Sequence, residues 1–110
     1  MSADRELLEL AAKAAGLSLM KWWEAMDTFV IAEGERMGEW WNPLESDGDA
    51  LRLAADLRLE IKPGKHVGDG CTVESQRPGI AGHTAFYDDK AQQMRRAIVG
   101  VAAEIGKAMP

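Results

Sequence analysis

His66, Cys71 and His83 are the chain's only imidazole and thiol side chains, so metal binding or thiol catalysis would have to use them. Four residues separate the first pair and eleven the second, which matches no standard zinc spacing. A fourth ligand would have to be Asp69 or Asp88. A Cys71–His83 dyad across neighbouring strands would need an activated thiolate, and no helix start follows Cys71 to stabilise one. Its ordinary role is a small buried residue in a reducing compartment. Glu45, Asp47, Asp49 and Asp56 cluster as Mg²⁺-binding or acid–base carboxylates do, but helix capping accounts for Asp49 and solvated helix ends for the others. Arg95 and Arg96 read as solvated or ion-paired. The expectation is no catalytic residue, no metal and no cofactor, and a chain that is not an enzyme.

Lys62-Pro63-Gly64-Lys65-His66-Val67-Gly68-Asp69-Gly70 sets cations beside glycines. Exposed backbone N–H groups in such a loop can cradle an anion. The order differs from a phosphate-binding P-loop, and Asp69 opposes an anion. If a phosphorylated ligand binds, Lys62, Lys65 and His66 hold it, with Arg77 and His83 nearby. A plain hairpin tip is the commoner use of such a segment.

All four tryptophans stand in adjacent pairs, Trp22-Trp23 and Trp40-Trp41. Neighbours on a strand face opposite sides, and neighbours on a helix diverge by about 100°. One member of each pair is therefore hard to bury in a small core. Indoles are enriched where proteins dock, so Trp22, Trp23, Trp40 and Trp41 are the candidate interface, with another protein or a second copy of the chain.

The 110 residues suit one domain, 1–110, and 46% apolar composition is that of a globular chain. A formal charge of −5 disfavours non-specific nucleic-acid binding. No apolar run approaches the roughly 18 residues of a membrane span. The polar opening Met1–Glu6 does not read as a signal peptide. One cysteine excludes an internal disulfide.

Several elements must position these groups. Leu7, Leu8, Ala11, Ala14 and Ala15 predict a helix over 4–15, capped by Ser2 or Asp4 and stopped at Gly16. Over 17–39, a helical face of Trp22, Met26, Phe29 and Val30 competes with the β-rich Thr28-Phe29-Val30-Ile31; a strand near 26–32 and a loop to Gly38 are expected. Ser46 caps a second helix, 47–57, with Asp49 completing a capping-box-like arrangement. Its buried stripe is Ala50, Leu51, Ala54 and Leu57, flanked by Leu53. Leu57–Lys62 alternates as a half-buried strand. Pro63-Gly64 and Pro78-Gly79 are type II turn signals, and Cys71–Ser75 and Ile80–Tyr87 read as further strands of an antiparallel meander. Met94, Ile98, Val101, Ala102, Ile105 and Met109 mark one face of a last helix, 89–108, capped by Asp88 or Asp89. The result is a single α+β domain in the order α-β-α-β-β-β-α, a small, mostly antiparallel sheet packed by helices.

At Trp41-Asn42-Pro43-Leu44, Asp47-Gly48-Asp49-Ala50-Leu51-Arg52-Leu53-Ala54 and Arg96-Ala97-Ile98-Val99 the chain resembles the phage ABA sandwich domain family, small bacteriophage and prophage proteins mostly without assigned biochemistry. The resemblance covers the first helix, the lead into the second and the last helix. It implies a compact sheet flanked by helices, a phage or prophage source and action in the cytoplasm of an infected bacterium. It transfers no catalytic residue. The function it suggests is that of an accessory protein binding a host or phage protein, such as a factor of antiviral defence. The alternative is a protein that sequesters a small phosphorylated or nucleotide signal molecule.

Overall fold

The computed structural model describes residues 3–19, 22–26 and 28–110. Ser2, one of the two expected caps, and Asp27, inside the expected first strand, lie outside that set. Helix α1 spans Ala3–Ala14 and ends at Gly16, whose φ of +72° lies in the left-handed region that glycine adopts without penalty. Asp4 is not the cap: it sits in the first turn and its carboxylate takes two bonds from Arg96.

The β-rich tract forms strand β1, Phe29–Val30, which pairs antiparallel with β2, Trp40–Trp41. It is shorter than expected: a 3-10 turn at Glu24–Met26 takes the first expected position, and Thr28 and Ile31 make only isolated bridges. Isolated bridges Leu19↔Ile31 and Trp23↔Thr28 bring the preceding segment onto the other edge of β1.

Helix α2, Asp47–Leu57, starts where expected, and the Ser46 side chain accepts from the Asp49 N–H (3.2 Å). Asp49 does not reciprocate. Its carboxylate accepts the Asn42 N–H (3.0 Å) and Arg36 (3.0 Å), because the Ser46 N–H is already given to Asn42 O (2.8 Å). The buried face is Ala50, Leu53, Ala54 and Leu57; Leu51 points outward, against expectation. Arg58 closes the helix with φ +54°, so the expected strand from Leu57 begins only at Glu60.

Strands β3 (Glu60–Pro63), β4 (Cys71–Glu74) and β5 (His83–Ala85) form the meander in that order, fully antiparallel. Pro63-Gly64 is not a turn. Pro63 pairs with Cys71, and the Gly64 N–H donates to Gly70 O (2.9 Å). A Cβ on Gly64 would lie 2.6 Å from Gly70 O, so only glycine fits there. The reversal is made instead by the 3-10 turn Val67–Asp69. Pro78-Gly79 does turn the chain: Gly79 has φ +79°, and the Ile80 N–H reaches Arg77 O (3.4 Å). The third strand is cut to three residues, since Ile80–Gly82 serve the turn and its exit.

Helix α3, Lys90–Ala108, is capped by Asp89, which accepts from the Ala91 N–H (2.9 Å). It touches α1, α2 and every strand of the larger sheet. Its buried surface is accordingly wider than one stripe and includes Ala97, Val99, Gly100 and Ala103. The domain is α+β, and the order α-β-α-β-β-β-α holds, with its first β unit made of β1 and β2 paired as a separate two-stranded sheet. Core side chains from α1, β1, β2, α2, β4 and α3 form one cluster.

Candidate functional site

The tryptophans divide as strand geometry requires. Phe29 pairs with Trp41 and Val30 with Trp40, and paired residues share a face. Trp41 therefore enters the core with Phe29, at 1% exposure. Trp40 turns outward and keeps 49% exposure, while Trp23, brought alongside by its bridge to Thr28, keeps 56%. Their rings lie against each other at 5.6 Å between centroids with a 48° tilt. Trp22 packs edge-on to Phe29 (4.8 Å) and has the Arg5 guanidinium over its ring (5.8 Å). Two indoles thus belong to the interior, and two form an outward aromatic platform.

That platform also has a structural use. Val30 shares the face of Trp40 yet is buried, so the indoles shelter it. Arg36 steadies the following loop by bonding Glu39 (3.0 Å) and Asp49 (3.0 Å). Burial opposes its charge, but the two carboxylates outweigh that and raise its pKa.

The expected ligand residues scatter more widely. Lys65 and His66 line a cleft of about 430 Å³ between the β3–β4 tip and the first turns of α3, where Lys90, Gln93 and Met94 face them and Cys71 forms part of the floor. Lys62 points elsewhere: its ammonium binds Glu74 (3.1 Å) with Glu60 beside it, and that hydrogen bond raises its pKa. Arg77 is exposed in the Pro78-Gly79 turn. His83 packs on Gly100 of α3, with Nε2 4.0 Å from Glu104. The cleft therefore joins two of the five expected groups and adds Lys90, whose approach to the loop no local sequence signal announces.

The thiol of Cys71 is buried, and desolvation pushes its pKa up, which disfavours the thiolate. In register Cys71 faces Ala85 and His83 faces Val73, so the two are diagonal rather than opposed. Among the described residues no three His, Cys, Asp or Glu side chains gather as metal ligands. Asp47 is paired with Arg95 (2.6 Å) and Asp49 with Arg36, which ties both acids into the scaffold.

Also exposed are Met37, Phe86 and Tyr87, and Leu51, expected in the buried stripe. Among the described residues no helix is long and apolar enough to cross a membrane. Comparison of the chain with protein-family models, with curated proteins and with solved structures finds no match.

Proposed function

We propose that this chain is a non-enzymatic bacteriophage accessory protein that binds a host protein through its outward indole pair, in the cytoplasm of the infected cell. The observation that carries the docking half is the Trp23–Trp40 platform, two large rings 5.6 Å apart at a tilt and each about half open to solvent. A rigid aromatic pair offers much contact area with little side-chain entropy to lose, and interface tryptophans are frequent hot spots worth about 2 kcal/mol or more. The phage half rests on the Trp41-Asn42-Pro43-Leu44 and Asp47–Ala54 resemblance, and antiviral defence is the host process that such an origin suggests.

Affinity capture from bacterial lysate tests this reading. Wild type is expected to retain a host protein that Trp23→Ala releases while still unfolding in a single cooperative thermal transition. Equal recovery by both, or no partner at all, counts against it.

The cleft favours a second reading, sequestration of a small phosphorylated molecule between Lys65, His66 and Lys90. A nucleotide at 100 times its dissociation constant would add about 2.7 kcal/mol of stability. Absence of a thermal shift across a nucleotide panel removes it.

A further inference from the structure

The outward indoles belong to an acidic stretch of the chain. Glu24 follows Trp23, Glu39 precedes Trp40, and Glu33 and Glu35 lie on the loop joining the two paired strands; all four are exposed. Among the described residues of 22–40 the one cation is Arg36, already committed to Glu39 and Asp49. Arg52 reaches the same Glu39 from α2 at 3.7 Å. Glu24, Glu33 and Glu35 have no ion pair among the described residues. Among its described residues, the segment that presents the aromatic platform therefore carries more negative than positive charge.

Indole faces attract cations through the ring quadrupole, and a guanidinium can stack flat on them while its N–H groups reach carboxylates. Acidic neighbours strengthen that attraction and repel a nucleic-acid backbone or another acidic surface. We propose that the Trp23–Trp40 face receives a basic, arginine-bearing segment of its partner protein, with guanidinium stacked on indole and held by Glu24 and Glu35. This rests on the protein-binding reading above and adds the chemistry of the docked segment.

Three synthetic peptides of equal length serve as probes: one alternating Arg with Gly, one with Gln at each Arg position, one with Glu there. Calorimetric titration should show saturable binding of the Arg peptide alone. Trp23→Ala, Trp40→Ala and the double variant Glu24→Gln/Glu35→Gln should each weaken it by about tenfold or more. Ionic strength near 1 M, where the Debye length is about 3 Å, should weaken it too. Failure of the Arg peptide to bind, equal binding of the Gln peptide, or unchanged binding by the variants each overturns the proposal. If Trp40→Ala fails to fold because Val30 loses its cover, Trp23→Ala and the double glutamate variant carry the test. Light scattering that finds a dimer dissolved by Trp23→Ala makes a second copy the occupant, and the proposal falls.

The lysate capture separates the two readings. A host partner lost with Trp23→Ala, alongside no Arg-peptide binding, leaves protein docking standing and rejects the basic segment. Arg-peptide binding with no host partner rejects a host source for the segment and leaves the chemistry of the face standing.

Discussion

Leu51 and Leu53 stand two positions apart on α2 and meet opposite surroundings, with 51% and 2% exposure. Leu53→Ala should cost about 2–5 kcal/mol in urea unfolding, from lost transfer energy and the cavity left behind. Leu51→Ala should stay within about 0.5 kcal/mol. The reverse order would place the buried face of α2 on the wrong side. The sequence reading places Leu51 in the buried stripe with Ala50, Ala54 and Leu57 and Leu53 only on its flank, the opposite of what the fold does. Where α3 lies decides between them, and no local pattern records that. Asp49 teaches the same lesson at the helix start. Its position beside a capping serine was legible, whereas its grip on the Asn42 N–H and Arg36 depends on a chain reversal seven to thirteen residues upstream. The outward turn of one indole per pair was legible from strand alternation alone. Which indoles face out, and that they meet each other, required the register of β1 with β2.

Between elements, α1 and α3 approach until their backbones touch. A Cβ on Gly106 would collide with the carbonyl of Leu10, within 2.8 Å of its carbon. Gly106→Ala must therefore push the helices apart, at a cost of about 1–3 kcal/mol or more, measurable as a lower denaturation midpoint. The far end of the same helix pair is tied by Asp4 and Arg96 (2.6 and 3.0 Å). Hydrogen bonding by Arg96 holds the Asp4 carboxyl below its ordinary value of 3.8, against some desolvation. A lowered folded-state pKa means that the pair's contribution is complete above the ordinary value and vanishes as pH falls through the folded one. Asp4→Asn should lose up to about 1 kcal/mol at neutral pH, since the carboxylate is partly exposed, and converge with wild type in acid. A difference that persists unchanged in acid would contradict the ion pair. The helices were readable because apolar spacing and caps are local signals. The strands came out short because their limits are set by pairing partners, and because Arg58 and the Ile80–Gly82 stretch serve helix closure and turn instead.

Across the whole molecule, α3 is the shared wall on which α1, α2 and the three-stranded sheet all rest. Ile98, Val101, Ala102 and Ile105 are fully or almost fully buried as a result. A chain stopped at Asp89 should show no cooperative thermal transition, because its other elements lose their common support. A sharp transition would mean that the first two helices hold the remainder by themselves. The cleft between the β3–β4 tip and α3 belongs to this scale as well, which explains why the loop was visible in sequence and its companion Lys90 was not. The outward platform has a different consequence for the molecule as a whole. Two indoles this close, and inclined rather than parallel, form a chiral pair of chromophores whose strong far-ultraviolet transitions must couple. Circular dichroism should then carry a two-lobed exciton band superimposed on the helical signal. Removing either ring would erase both lobes, and a segment settling onto the pair would alter them, giving the surface its own optical gauge of occupancy.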